Sequence, residues 1–181
     1  MKWNKQIVIA FLLLIIVGSI CRVAGFAPQI AMAVFGAAVI KDKRFAILLP
    51  LVSMFLSDLL YQGLFYFGLT EYGGFYAGQL ENYLLIVALS IFGFWARNLQ
   101  PAKIIVATLA APSVFFLVSN FMVWMGGGGL LRPKTFDGLL LCYNDALPFF
   151  RSSLITTVAA SAILFGSYFL AQHFVQRRQL A

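Results

Sequence analysis

Charge is what this chain has least of. Only 10% of its 181 residues are Asp, Glu, Lys or Arg, while 62% are hydrophobic. So few charges cannot cover a soluble domain. The composition therefore implies an integral membrane protein with one domain over 1–181 and no separate soluble unit. Histidine is nearly absent. His173 stands alone near one end of the last apolar run and reads as an interfacial residue, not as a ligand. No second imidazole is available for a metal site. No His-Glu-x-x-His and no Gly-x-Ser-x-Gly occurs, so the zinc-protease and serine-hydrolase patterns are missing. The chain reads as a non-enzyme without a metal, and no motif names a cofactor. The only two cysteines, Cys21 and Cys142, are too far apart for a metal-ligand pair. A disulfide and two separate thiols both fit the topology described below.

Acids are scarcer than bases, 6 against 13, for a net charge of +7. Such an excess can mark a nucleic-acid partner. Here the basic residues fall at the ends of apolar runs, which is a topology signal, and anionic headgroups of a lipid bilayer are sufficient partners. No nucleic acid is implied.

Long apolar runs are abundant. Six occupy about 6–21, 26–40, 45–69, 82–96, 102–124 and 151–175. A bilayer-spanning helix needs ~20 residues. The second and fourth runs are short, and Pro28 predicts an irregular start to the second. The expected fold is an all-α integral membrane protein: a single bundle of six transmembrane helices with an outer-side capping loop. Lys2 and Lys5 ahead of the first run resemble a signal peptide, and Gly18-Ser19-Ile20-Cys21 resembles a lipoprotein cleavage site. Ile20 is too large for the position before the cysteine, so the run is read as an uncleaved first helix.

The basic residues orient the bundle. With both termini cytoplasmic, the inner side holds Lys2, Lys5, Lys41, Lys43, Arg44, Arg97, Lys103, Arg177 and Arg178, the last two as a topology anchor. The outer side holds Arg22, Arg132, Lys134 and Arg151. That nine-to-four split follows the positive-inside rule. The outer segment 125–150 opens on Gly126-Gly127-Gly128-Gly129. This is not a phosphate loop, because no Lys-Ser/Thr ending follows. Its leucines and phenylalanines predict a lid folded over the outer face, with a short helix near 136–143.

Ionisable residues inside apolar runs are costly and face a protein interior or a site. Asp58 lies within the third run and Arg22 closes the first. Asn120 and Trp124 end the fifth. At a rise of ~1.5 Å per residue, Arg22, Asp58 and Asn120 reach similar levels in the outer half. Tyr61 and Gln62 follow Asp58 by three and four residues, on the same helix face. Phe116, Asn120 and Trp124 share a stripe at spacing four. These residues predict a small-molecule site with Arg22, Asp58 and Asn120 as its floor. Tyr61, Gln62, Phe116 and Trp124 form its walls, and the lid above adds Tyr143. The other reading of the same residues is an Arg22–Asp58 ion pair that locks two helices. On the second run, Ala27-x-x-x-Ala31 and Ala33-x-x-x-Ala37 form a small-residue face. Such a face suits docking to a partner membrane protein or close packing inside the bundle.

Several stretches carry a family resemblance: Ala31-Met32-Ala33-Val34-Phe35-Gly36-Ala37-Ala38; Pro50-Leu51 with Met54 and Ser57-Asp58; Phe115-Phe116 with Asn120-Phe121 and Val123-Trp124; and Gly138-Leu139 with Cys142-Tyr143 and Ala146-Leu147-Pro148-Phe149-Phe150. With Arg22, they resemble an uncharacterised bacterial six-helix membrane protein family. That family is similar to the substrate-binding (S) component of energy-coupling-factor vitamin transporters. The resemblance implies a multi-pass protein of the bacterial cytoplasmic (inner) membrane. It would bind a small vitamin-like ligand from outside for uptake and dock onto a transmembrane coupling partner. Here the small-residue face lies on the second run, where those components carry it on their first helix. The competing expectation is a non-catalytic accessory subunit of a larger membrane complex. It differs in having the outer space filled by side chains.

Overall fold

Residues 5–127 and 130–180 are described by the computed structural model, with side chains for 8–127 and 130–177. Each apolar run becomes a helix, and the described residues contain no strand. Helix α1 spans Lys5–Val23 and α2 spans Gln29–Val39. The chain turns between them through Gly25, at φ +87°, and Pro28 sets the irregular start predicted for α2. Helix α3, Lys43–Tyr66, is capped by Asp42, whose side chain accepts from the Arg44 backbone N–H at 2.9 Å. Helix α4 covers Gln79–Trp95. Helix α5, Pro101–Gly126, begins on a proline, whose missing N–H costs nothing at that position. Helix α6 covers Phe136–Leu180.

Three helices are long and apolar enough to cross a membrane: α3, α5 and the Phe136–Arg177 part of α6. The other three are shorter. At 11 residues, α2 is only ~16 Å long.

That short helix is the centre of the molecule. Every residue from Gln29 to Ala38 is buried, and Ala31, Ala33 and Ala37 have no exposed surface. The small-residue face expected to dock a partner is therefore consumed inside. Gly93 of α4 sits so close to α2 that a methyl group there would overlap the Val34 carbonyl oxygen and the Ala37 side chain. On the other side, a Cβ on Gly36 would lie 3.0 Å from the Ala46 carbonyl oxygen of α3. Small residues let three backbones approach where larger ones would separate them. Of the four alanines, Ala27 alone is exposed, just before the helix.

Helices consecutive in the chain alternate in direction. Phe11 meets Phe45, Ser19 meets Ser53 and Arg22 meets Ser57, so α1 and α3 run parallel with α2 returning between them. Phe35 of α2 packs on Phe165 and Tyr168 of α6. Arg97, just after α4, donates to the Ala37 and Ile40 carbonyls at 2.9 and 3.0 Å. It thereby satisfies the C-terminal end of α2.

The capping loop is not observed. Residues 136–150 belong to α6, a continuous helix of 45 residues and ~67 Å. Pro148 lies inside it, as Pro50 and Pro112 lie inside α3 and α5. A proline removes one ladder hydrogen bond, and in none of these helices does that end the element. Leu131, Phe136 and Phe149 are 80%, 73% and 76% exposed, so the greasy residues of this segment do not fold over the end of the bundle.

Candidate functional site

Arg22 and Asp58 form the ion pair that their matched depths predict. The Asp58 side chain is buried on α3. One carboxylate oxygen accepts from Arg22. The other accepts from Gln79 Nε2 at 2.6 Å and from the Tyr83 hydroxyl. Arg22 Nη1 also donates to the Met54 carbonyl at 3.2 Å and to Ser57 Oγ. One carboxylate thus ties α1, α3 and α4 together. Tyr61 donates to the Arg22 carbonyl at 3.3 Å. Gln62 Oε1 accepts from the Gly74 backbone N–H at 3.0 Å and pins the loop after α3. Gly74 lies against the Asp58 carbonyl oxygen with no room for a Cβ. Asp58, Tyr61 and Gln62 are therefore spent on structure, and the ion-pair reading describes them.

The α5 residues group elsewhere. Asn120 donates to the Phe116 carbonyl of its own helix at 2.8 Å. Trp124 Nε1 donates to the Pro133 carbonyl at 2.9 Å, and Lys134 lies over its ring. Phe116 packs on Tyr143 and Phe150, and the Tyr143 hydroxyl donates to the Leu117 carbonyl at 3.0 Å. Phe116 and Tyr143 thus join α5 to α6, Trp124 ties α5 to the segment just ahead of α6, the Asn120 amide is spent on its own helix, and none of the four is bonded to Arg22. Nearby, Arg132 and Asp145 make a bidentate pair. The hydrogen bond to that carboxylate raises the guanidinium pKa further above its ordinary value. Cys21 and Cys142 are both free thiols, the latter buried against the Asn120 carbonyl.

A cavity of about 320 Å³ opens beside the ion pair. Arg22 alone of the expected ligand-binding residues lines it, together with Ala27. Its polar wall adds Gln29, Tyr76, Asn82, Ser152, Ser153 and Thr156; its apolar wall includes Phe115 and Phe149. It lies where the α1–α2 turn, α4, α5 and α6 converge, inward of the α5–α6 contact. Tyr76 and Asn82 share a hydrogen bond of 3.0 Å. They also border a second cleft of about 440 Å³ along Glu81, Ser119 and Met122.

Several of these residues carried a signal in the sequence that depth reasoning passed over. Gln29 is the lone polar residue in α2. Gln79 and Tyr83 stand four apart, facing one way at the start of α4. Ser152, Ser153 and Thr156 make a small hydroxyl stripe, which looks unremarkable in an apolar helix until an opposite wall is known.

Residues 2–179 match a family of unknown function (DUF6580), and the chain belongs to that family. No curated protein and no solved structure matches it.

Proposed function

We propose that this protein is a multi-pass component of the bacterial cytoplasmic membrane. In this reading it binds a small, vitamin-like molecule for uptake in the cavity beside Arg22. The membrane setting is supported by the apolar side chains that cover the long helices, such as Phe55, Ile105, Val106 and Ile163, each at least half exposed. A water-soluble surface seldom carries so continuous an apolar cover. The cavity carries the binding reading: it is large enough for a small ligand and combines aromatic walls with a few directed polar groups. An accessory subunit would fill that space. Uptake, and a transmembrane coupling partner, follow from the resemblance to S components; the small-residue face is not where such a partner would dock.

The test is to purify the wild type and Ser153→Trp in detergent and denature both. Small molecules released are compared by mass spectrometry. Ser153 is half-buried on the cavity wall, so an indole there occupies the ligand's space. The wild type is expected to release one compound in near-stoichiometric amount. The variant, with unchanged helix content and elution volume, should release far less. An empty wild type, or equal release from both, favours the accessory-subunit reading instead.

A further inference from the structure

We infer that the groove between α3 and α4 holds one anionic phospholipid, with its phosphate between Lys43 and Arg97. The inference takes the membrane setting proposed above and is independent of any ligand in the Arg22 cavity. Arg97 donates to the Ala37, Ile40 and Lys41 carbonyls at 2.9, 3.0 and 3.4 Å. These bonds hold the guanidinium in place, but neutral carbonyls leave its charge uncompensated. It lies 4.9 Å from the centre of the Phe94 ring, and Lys43 Nζ lies 6.0 Å from the same ring. Cation–π attraction draws each toward the ring, yet the two cations repel each other across it. No ion pair relieves them. The two among the described residues, Arg22–Asp58 and Arg132–Asp145, lie at the opposite end of the bundle. Asp42 is the acid at this end, and its carboxylate caps the α3 backbone. It stands against Lys41, Arg44 and Lys103 besides Lys43 and Arg97. Lys43 is exposed and Arg97 half-buried, so both keep surface for a phosphate.

The apolar half of the lipid has a seat in line with these cations. Leu51, Val52 and Phe55 of α3 and Leu84 and Val87 of α4 line a wholly apolar groove of about 390 Å³. Tyr83 adds its ring, while its hydroxyl is spent on Asp58. Val87, Ile91 and Phe94 follow one another down one face of α4 at spacings of four and three, as Val52, Leu48 and Arg44 do down α3 at spacings of four. Ile91 and Leu48 are 65% and 42% exposed. The two stripes thus lead from the groove to Lys43 and Arg97. From Lys43 to Val52 and Phe55, α3 rises ~13–18 Å. One leaflet of a ~30 Å hydrocarbon core is ~15 Å deep, so an acyl chain whose headgroup sits at Lys43 ends in the groove. A lipid without net charge would fill the groove and leave the cations unmatched, whereas basic pockets between membrane helices suit anionic headgroups.

The experiment titrates the full chain, purified in detergent, with phosphatidylglycerol and with phosphatidylcholine of the same acyl chains. Bound lipid is counted by native mass spectrometry. The wild type is expected to hold one phosphatidylglycerol about tenfold more tightly than phosphatidylcholine. Lys43→Gln should lower that preference about fivefold, the share of one cation near a phosphate. Lys103→Gln removes the same charge from beside Trp95 and should leave the preference as it was. Leu84→Trp fills the groove and should weaken both lipids alike. Glycerol 3-phosphate, a headgroup without chains, should not compete. Equal retention of the two lipids by the wild type overturns the inference, whether or not a variant folds. Equal losses in Lys43→Gln and Lys103→Gln would reduce the preference to a general attraction and overturn the site. Unchanged binding in Leu84→Trp overturns the seat of the chain, and competition by glycerol 3-phosphate makes the site one for a soluble phosphate. A chain that stays in solution without detergent removes the membrane setting and this site with it; every other failure leaves that setting standing.

Discussion

Asp58 shows how one side chain can organise several helices. Its carboxylate receives Arg22, Gln79 and Tyr83, so removing it strands a guanidinium and two further donors. Asp58→Ala should cost about 3–5 kcal/mol, because most of the penalty is the uncompensated charge. The double change Arg22→Ala with Asp58→Ala should cost less, measured by unfolding in detergent; equal losses would refute the pairing. Trp124 behaves differently. Its indole serves Pro133 and Lys134, so Trp124→Ala should leave the yield of released ligand unchanged. A lowered yield would place the site on α5 after all. The ion pair was legible in the sequence because charge inside apolar runs is rare and depth follows from helix rise. Depth alone cannot say around which side of the bundle a residue points. For that reason Asn120 and Trp124, at the right level, belong to a different contact. Gln29 was hidden for a related reason: nothing in a lone glutamine announces that it will border a cavity.

At the level of helices, small residues decide how closely the backbones pack. Gly93 touches the α2 backbone, whereas Gly63 of α3 has open space where a Cβ would go. Gly93→Ala should therefore destabilise by about 1–3 kcal/mol through overpacking. Gly63→Ala should be stabilising, by roughly 0.5–1 kcal/mol, since alanine is the better helix former. Thermal unfolding of the two variants side by side checks the contrast, and a mild effect at Gly93 would mean that α2 and α4 can part. The existence of six helices was readable because long apolar runs admit little else. Two element-scale properties were not. The small-residue spacing of α2 is the same for an external dock and an internal contact, and only the neighbours reveal that it is internal. The segment 136–150 suggested a lid because it is greasy and follows four glycines. Its leucine-rich sequence is equally suited to helix, and Pro148 proved too weak a breaker to separate it from α6.

Across the whole molecule, charge asymmetry and helix direction bear on the same question. Alternation along the bundle brings the start of α1 and the end of α6 to one end, together with Lys41, Lys43, Arg44, Arg97 and Lys103. The opposite end carries Arg22, Arg132, Lys134 and Arg151, but two of these are held in ion pairs with Asp58 and Asp145. The imbalance of uncompensated positive charge is therefore steeper than the raw split of basic residues suggests. Since unpaired Lys and Arg favour the cytoplasmic side, the Lys43 end should face the cytoplasm and the Arg22 cavity the exterior. In a background lacking Cys21 and Cys142, cysteines replacing Lys41 and Gln176, both exposed, should react with an impermeant thiol reagent only from the cytoplasmic side. One replacing Lys134 should react only from outside. Labelling of Lys41→Cys and Gln176→Cys from opposite faces would break the alternation. Labelling of all three in reverse would turn the cavity toward the cytoplasm, and a role in uptake from outside would have to be given up.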